Sequence, residues 1–451
     1  MKPTIAFFTL ATTAVSPINE KAESLTEFIS LKKHALDRLS CLPIVILDPL
    51  AGVIVNLGDA ERAVAALKGQ EYDALVMFFA SWAQEEVPLS IASEYPTCAK
   101  LLWGILEPPE LNSLAGVLST GTNFNRAGYQ YEYCLGNFED EIVAAKINSF
   151  VRAAAVVKRL RRAKIAIIGY PPPGMIDVTY GEAEFNQLGP SIIHLDLQDL
   201  LTRYGNASTI DAEKATVHLT EGLQVDSQLS QSELQDAAKM YLALKDIISI
   251  YHLDAVAARC WPELFERKLP ICSAFSKISD EGVSASCEAD VSMAVTQTIM
   301  NWLSEKPAAS MDIGPVSYKN NTVFTFHCGS AATCLAQSPS DVRLCRHGLA
   351  GRGVEVDMEL SPGPVTLAKL AGPVEGKFSM IVAKGEVVKS QFGKAPGVGH
   401  YATVKLDSPV SKFIDGFLRS SGGHHVAVTP GDISKELTLL CDILSIKPVS
   451  I

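Results

Sequence analysis

The sequence predicts two doubly wound α/β domains followed by a β-rich, antiparallel barrel-like C-terminal domain. In the first half, short apolar runs alternate with amphipathic stretches whose apolar positions recur at three and four, which is typical of parallel α/β layers. Near residue 160 a new apolar run follows a long amphipathic stretch and ends in a Pro/Gly loop, which indicates a domain boundary. After residue 311, short apolar runs separated by Gly and Pro favour an antiparallel barrel or sandwich. The predicted domains are 1–160, 161–310 and 311–451.

The first domain has the clearest alternation. Its predicted strands are 4–10, 44–47, 74–79 and 98–105, and its predicted helices include 23–39 and 58–67. A longer amphipathic stretch, 139–162, ends in the basic run 158–164. Cations in the last turn of a helix are stabilised by its dipole, so we interpret this run as a helix end and not as a phosphate site.

The second and third domains are predicted from weaker patterns. The predicted strands of the second domain are 164–170, 192–197 and 250–256, with a helix after Glu288. The predicted strands of the third domain are 322–327, 353–360, 365–370, 377–384 and 400–405. The loop 169–175 leaves the first strand of the second domain without the GxGxxG spacing of a dinucleotide site, which disfavours a nicotinamide cofactor.

Composition excludes several functional classes. The net charge is −11 and Lys and Arg are thinly spread, so no nucleic-acid partner is expected. No apolar stretch reaches the about 18 uninterrupted residues that a membrane span needs. The apolar run 5–15 is interpreted as a buried strand and not as a signal peptide. Ten irregularly spaced cysteines are too sparse for a disulfide framework, so we expect a cytoplasmic protein.

Three residues in the second half of the chain are candidate metal ligands: Glu288 in SCEADVSMA, Asp312 in SMDIGPVSY and His425 in GGHHVAVTPGD. They lie 24 (312 − 288) and 113 (425 − 312) residues apart, so no local spacing rule identifies them. If they converge, two carboxylates and one imidazole form a site for a hard divalent cation, Mn²⁺ or Mg²⁺.

Each candidate has a neighbour that remains open as an alternative. Asp290 lies two residues after Glu288 and is equally a candidate helix cap. Glu281 lies in a nearby loop. His424 directly precedes His425 and remains the alternative imidazole to it.

These segments resemble the L-fucose isomerase and L-arabinose isomerase-like family, of which the chain looks like a distant, shorter member. The resemblance is carried by an ordered series of features. They are Glu288, a helix ending in Asn301-Trp302-Leu303, Asp312, the turn Gly329-Ser330-Ala331-Ala332, and a Gly-x-x-His ending at His425. In that family a Glu, an Asp and a later His hold a catalytic manganese.

The resemblance implies a metal-dependent aldose–ketose sugar isomerase that acts through an enediol. Glu288 and Asp312 would combine metal ligation with proton transfer, and His425 would anchor the metal. His327 and Ser330 would line the sugar pocket. The family also implies a homo-oligomer with sites near subunit interfaces. It does not name the sugar, because the chain departs from the fucose enzymes outside these segments.

Arg259 and Trp261 are further substrate candidates. They follow the predicted strand 250–256, and ligands of open α/β sheets bind at the carboxyl ends of strands. Arg259 is the first residue to test for an anionic substituent on the sugar, whereas a packed Trp beside a surface Arg is the alternative.

Two other functions remain open. One is a non-catalytic cytoplasmic or periplasmic sugar-binding or regulatory protein. The other is an isomerase or epimerase of a modified, anionic sugar. A zinc site around 327–347 is disfavoured, because no cysteines there stand two to four residues apart, as structural zinc sites prefer.

Overall fold

The computed structural model describes residues 2–13, 25–108, 111–179, 181–390 and 398–451. The chain forms two compact units, one of Met1–Lys158 with Thr438–Ser445 and one of Arg159–Leu437 with Ile446–Ile451. Parallel α/β sheets and a C-terminal antiparallel barrel are present, which confirms the predicted fold class. Within the described residues, no helix is both long and apolar enough to cross a membrane.

The first unit contains a five-stranded parallel sheet in the order β2-β1-β3-β4-β5. Its strands are β1 Thr4–Leu10, β2 Val45–Leu47, β3 Ala74–Phe79, β4 Ala99–Gly104 and β5 Glu132–Leu135. Its helices are α1 Leu25–Ser40, α2 Leu57–Ala66, α3 Glu86–Glu94, α4 Ser113–Ala127 and α5 Glu141–Leu160. β3 and β4 are buried along their whole length, because helices cover both faces of a parallel sheet. The predicted start of the first helix, residue 23, lies outside the described residues.

The second unit begins with a four-stranded parallel sheet in the order β10-β9-β6-β7. Its strands are β6 Lys164–Ile168, β7 Ser191–Leu195, β9 Ala255–Ala258 and β10 Ser284–Ser286, and a short strand, β8 Gln224–Val225, lies outside this sheet. The helices of this part are α6 Glu182–Leu188, α7 Leu197–Asn206, α8 Thr209–Thr220, α9 Gln231–Tyr251, α10 Glu263–Glu266, α11 Cys272–Asp280 and α12 Val291–Ser304.

The predicted strand 250–256 is wrong over its first residues. α9 continues to Tyr251 and ends at His252 in the left-handed conformation, and β9 begins only at Ala255. The buried residues Ala237, Met240, Leu244 and Ile247 recur at three and four, which is the helical period. Packing of α9 on the core with this period overrides the preference of Ile248 and Ile250 for strands.

The C-terminal part is a closed six-stranded antiparallel barrel in the order β16-β15-β18-β11-β12-β17, closed by pairing of β16 with β17. Its strands are β11 Ala309–Ser317, β12 Thr322–His327, β15 Gly363–Val374, β16 Lys377–Val388, β17 His400–Leu406 and β18 His425–Pro430. β13 Arg343–Arg346, β14 Val354–Glu359 and β19 Lys447–Ser450 extend the sheet, and α13 Val410–Arg419 and α14 Ser434–Leu444 follow in the chain. Closure pairs the backbone N–H and C=O groups that the edge strands of an open sheet would leave unpaired.

α12 connects the parallel sheet to the barrel and packs against β9, β10, β15 and β18. It is buried nearly all round, as expected of a helix apolar on every face. Its few polar side chains bond to the barrel: the Thr296 hydroxyl accepts from Leu370 N at 2.9 Å, and Gln297 Nε2 donates to Ala308 O at 2.8 Å. This helix fixes the end of β10 against the barrel strands.

Glu233 at the start of α9 gives an expected acid sensitivity. It forms a capping box with Ser230 and an ion pair with Arg346, whose Nε lies 2.9 Å from Glu233 Oε1. The Arg346 guanidinium lowers the pKa of Glu233 from 4.5 to about 2, against the opposing effect of burial. A lowered folded-state pKa stabilises the fold above the unfolded pKa and is lost as pH falls. The free energy of unfolding should therefore fall between pH 4.5 and about 2.

Urea unfolding across this pH range checks the expectation. Glu233→Gln should flatten the decline, because glutamine does not titrate. Glu213→Gln, on the exposed face of α8, should retain it. An unchanged pH profile in Glu233→Gln would contradict the assignment.

Candidate metal centre

Glu288 lies in a tight left-handed turn between β10 and α12. Glu288 and Ala289 have φ angles of 61° and 54°, and the Ala289 N–H donates to Ala258 O at 3.1 Å. Left-handed backbone costs a non-glycine residue about 1–2 kcal/mol, and such strain concentrates at functional sites. Asp290 then caps α12, since its carboxylate accepts from Met293 N at 2.8 Å. The turn thus sets Glu288 and Asp290 side by side at the carboxyl end of β10.

Asp312 and His425 are brought together by strand register. On β11, Asp312 pairs directly with His425 of β18 on one side and with Phe326 of β12 on the other. Directly opposed residues of antiparallel strands lie within about 5.5 Å, so two residues that are 113 positions apart in the sequence are direct neighbours across one strand pair. β11 is paired on both sides at Asp312, because the barrel closes.

Glu288 and Asp312 both lie beside His425, and His424 and His327 approach this cluster. His425 Nε2 lies 3.0 Å from Glu288 Oε2 and 3.3 Å from Asp312 Oδ1. His424 Nε2 lies 3.9 Å from the same two oxygens, and His327 Nε2 lies 4.0 Å from Asp312 Oδ1. Two sets of ligand atoms each lie within 4.8 Å of one another and share His425: those of Glu288, His424 and His425, and those of Asp312, His327 and His425.

Three of these atoms have no hydrogen-bond partner. Glu288 Oε2, His425 Nε2 and His327 Nε2 are buried without a hydrogen bond of acceptable geometry to any described residue. A buried polar atom left unpaired costs about 1–3 kcal/mol. His425 Nε2 and Glu288 Oε2 lie close but do not point at each other, as expected when both face a common position. A divalent cation there would satisfy them, so the residues fit a metal.

The other side of the His425 ring is held by a buried ion pair. His425 Nδ1 lies 2.9 Å from Asp290 Oδ2, and Lys369 Nζ of β15 lies 2.7 Å from the same oxygen. A carboxylate on one ring nitrogen fixes the tautomer and turns the other nitrogen toward the site. Sequence reasoning treated Asp290 only as a rival ligand or cap and missed Lys369. A lysine inside an apolar strand was the signal that could have revealed it.

His424 is held differently from His425. Its Nδ1 lies 2.5 Å from Asp177 Oδ2, on the loop after β6, and its side chain is 39% exposed. His425 is 1% exposed and contacts both candidate carboxylates. His424 therefore faces the open side of the cluster, and His425 lies at its base.

The charges of the cluster suit cation binding. Burial favours the neutral carboxyl, but the nearby imidazoles of His424 and His425 outweigh it and hold the pKa of Glu288 well below its usual range. The pKa of Asp312 is also lowered, because His327 and His425 outweigh burial. Despite burial, the hydrogen bond to Asp290 and the nearby carboxylates of Asp312 and Glu288 raise the pKa of His425 well above normal. The carboxylates are ionised at neutral pH, and a cation would displace the proton on His425 Nε2.

His327 and His400 support the site from β12 and β17. Burial lowers the pKa of His327, but Cys328 and Asp312 raise it by more, so that the pKa is about 10. His400 Nδ1 accepts from Gly329 N at 3.2 Å and its Nε2 lies 3.0 Å from Ser310 O, which assigns the proton to Nε2. Burial lowers the pKa of His400 to about 4, so this imidazole is neutral. Sequence reasoning included His327 but missed His400.

The remaining predicted substrate residues are not joined to the cluster. No hydrogen bond or ion pair in the described ranges links Arg259, Trp261 or Ser330 to it. Arg259 follows β9, and its Nη2 lies 2.6 Å from Glu263 Oε1. Trp261 packs against the hydrophobic core, and Ser330 is buried in the turn after β12. Their substrate roles stay predictions.

The alternative carboxylate Glu281 lies elsewhere. It bonds to Lys245 Nζ at 2.6 Å and to Tyr241 and His218 on the outer helices. These contacts occupy its carboxylate outside the cluster.

Comparison with known proteins identifies one family model that matches the C-terminal part and several relatives that match most of the chain. Residues 325–451 match the family model described as L-fucose isomerase, C-terminal domain. The sulfoquinovose isomerase of Alkalicoccus urumqiensis is 26% identical over 391 residues, covering 84% of this chain and 86% of the relative. That of Clostridium sp. (strain MSTE9) is 26% identical over 372 residues, covering 78% and 80%. That of Priestia aryabhattai is 23% identical over 410 residues, covering 88% and 89%.

The fold, the site and these relatives together define an enzyme of the aldose–ketose isomerase class. The similarity to these relatives extends along most of the chain, and the family match, which begins at residue 325, includes His425 but not Asp312. The family match and these relatives support a distant similarity to fucose isomerase-like proteins, which confirms the resemblance noted in the sequence.

Proposed function

We propose that this protein is a metal-dependent isomerase that interconverts a sulfonated aldose and its ketose. One observation carries the proposal. Glu288 Oε2 and Asp312 Oδ1 lie 3.0 and 3.3 Å from His425 Nε2, and neither forms a hydrogen bond with it. The relatives named sulfoquinovose isomerase support an anionic substrate, since sulfoquinovose carries a sulfonate.

Glu288, Asp312 and His425 are the residues that would hold the metal, with His424 as the alternative imidazole. Two carboxylates and an imidazole suit Mn²⁺ or Mg²⁺ better than a thiophilic ion. A divalent cation bound there supplies positive charge opposite the two enediol oxygens, which become negative during isomerisation.

The protein's own residues would move the proton. Aldose–ketose isomerisation transfers a proton between C1 and C2, and a catalytic base must come within about 3 Å of it. Glu288 and Asp312 are both ionised at neutral pH and lie on two different elements, the β10–α12 turn and β11. We assign them to the two sides of the enediol. Asp290 holds the imidazole of His425 in place through Nδ1.

The test is an isomerisation assay on protein treated with a chelator. Sulfoquinovose and glucose are each added with and without Mn²⁺, and products are identified by NMR. The proposal expects a ketose from the sulfonated sugar only when the metal is present. Sugar binding without conversion would favour the non-catalytic sugar-binding alternative, and inversion at C2 without ketose would favour an epimerase.

Arg259 is the residue we propose for the sulfonate. It lies at the carboxyl end of β9, and its Nε is buried without a hydrogen-bond partner among the described residues. A charged hydrogen bond contributes about 1.5–3 kcal/mol, so Arg259→Met should raise the KM for sulfoquinovose about 10- to 100-fold. The kcat should change little, because Arg259 does not touch the cluster.

Arg267→Met is the matched control for this variant. Arg267 is an exposed arginine at the end of α10, in the same connection as Arg259. Its replacement should leave the KM unchanged. An equal rise in KM in both variants would argue for general electrostatic attraction instead of a sulfonate contact.

The setting of the enzyme is also part of the proposal. All ten cysteines, which lie within the described ranges, are free thiols, as suits a reducing cytoplasm. We retain the three-domain division at about residues 160 and 310, and a homo-oligomer with sites near subunit interfaces. Size-exclusion chromatography with light scattering measures the oligomeric state.

A further inference from the structure

Three cysteines that are scattered in the sequence meet beside the candidate metal centre. The sulfur atoms of Cys272, Cys287 and Cys328 all lie within 4.8 Å of one another. Cys272 Sγ and Cys328 Sγ are 3.7 Å apart. The sequence separates them by 15 (287 − 272) and 41 (328 − 287) residues, which is why a search for closely spaced pairs finds nothing.

Each thiol is placed by a regular element. Cys272 is the first residue of α11, Cys287 directly follows β10, and Cys328 directly follows β12. Cys272 and Cys287 are 0% and 1% exposed, whereas Cys328 is partly exposed. The set is therefore built on the ends of strands and a helix, which hold ligands more firmly than loops do. Cys328 gives it a route to solvent.

The sulfur separations match the needs of a metal–thiolate site. With metal–sulfur bonds of about 2.3 Å, tetrahedral or trigonal coordination places the sulfurs about 3.8–4.0 Å apart. The observed separations of 3.7 Å to at most 4.8 Å approach this geometry. Hydrophobic packing alone does not require three buried cysteines to place their sulfur atoms together.

We propose that Cys272, Cys287 and Cys328 form a second cation site, which takes one thiophilic d¹⁰ ion such as Zn²⁺ or Cd²⁺. Binding exchanges three S–H bonds for three metal–thiolate bonds and releases three protons to solvent, with no change of oxidation state. Soft thiolates select such ions, whereas Mn²⁺ and Mg²⁺ prefer the oxygen-rich cluster. The two sites therefore sort cations by ligand chemistry, and this inference does not depend on the proposed substrate.

One imidazole joins the two sites. His327 Nδ1 lies 3.3 Å from Cys328 Sγ, and His327 Nε2 lies 4.0 Å from Asp312 Oδ1. An ion bound to the thiolates would alter the charge beside His327 and hence beside Asp312. The site is a candidate means for a thiophilic ion to influence the carboxylate–histidine cluster.

The test is a Cd²⁺ titration of the reduced, chelator-treated full chain in excess Mn²⁺, which occupies oxygen-rich sites. We expect an ultraviolet thiolate-to-cadmium charge-transfer band that saturates at one equivalent per chain. Cys272→Ala and Cys328→Ser should each abolish or strongly weaken the band. Circular dichroism verifies folding, and the partly exposed Cys328 keeps the test valid if the buried Cys272 variant does not fold.

Cys441→Ala is the matched control, since Cys441 is a buried free thiol on α14. It should keep the full band. The proposal is overturned if the wild-type chain gives no band, or if the Cys272 and Cys328 variants retain it. Peptide mapping that finds a Cys272–Cys328 disulfide in the purified protein, with no Cd²⁺ uptake after reduction, also overturns it.

Discussion

Glu288→Gln is expected to lower the kcat of isomerisation by about 10²- to 10⁴-fold, the range contributed by a positioned acid–base group. Glutamine has the size of glutamate, but its amide does not accept the migrating proton and carries no charge toward a cation. The fold should remain intact, because Glu288 Oε2 has no hydrogen bond to any described residue that the change would break. Steady-state kinetics with saturating Mn²⁺ and thermal unfolding measure the two effects.

Glu281→Gln is the control for this variant. Both residues are glutamates of the second unit, but the carboxylate of Glu281 is occupied by Lys245 and Tyr241 away from the cluster. Its replacement should leave kcat unchanged. Near-normal activity in Glu288→Gln would sink the assignment of Glu288, whatever the substrate.

The parts of the fold that sequence predicted well are those in which local pattern and burial agree. β1 and β3 are continuous apolar runs flanked by turns, and their bounds coincide with the predicted 4–10 and 74–79. The pattern failed at residues 250–251, where a helix carries β-branched residues to its end. Local preference does not reveal which of two compatible periods the core selects.

The candidate site shows a related limit. Resemblance singled out Glu288, Asp312 and His425, and strand register brings the last two together. A lysine inside an apolar run signals a buried counter-charge, but no local pattern indicates that its partner is Asp290 or that Asp290 contacts His425, because both contacts depend on how α12 packs on the barrel. Pairings between distant elements are a property of the closed barrel and cannot be derived from spacing.

Asp290→Asn is expected to destabilise the protein by about 3–5 kcal/mol, the cost of breaking a buried ion pair by removing one partner. Asparagine can still cap α12, but the ammonium of Lys369 loses its counter-charge. The Lys369 and Asp290 side chains are 4% and 0% exposed, so water does not compensate. Loss of a carboxylate behind a metal-binding imidazole also weakens metal affinity about 10- to 100-fold. Urea unfolding of cation-free protein and calorimetric Mn²⁺ titration measure the two losses separately.

Adding Lys369→Met to Asp290→Asn separates stability from metal binding. The methionine removes the unpaired charge and fills a similar volume, so most of the lost unfolding free energy should return. Mn²⁺ affinity should stay low, because His425 Nδ1 still lacks its carboxylate. Lys384→Met, on the exposed side of β16, is the control and should change neither quantity. If the double variant also regained full Mn²⁺ affinity, Asp290 would act through the charge balance of Lys369 and not by orienting His425.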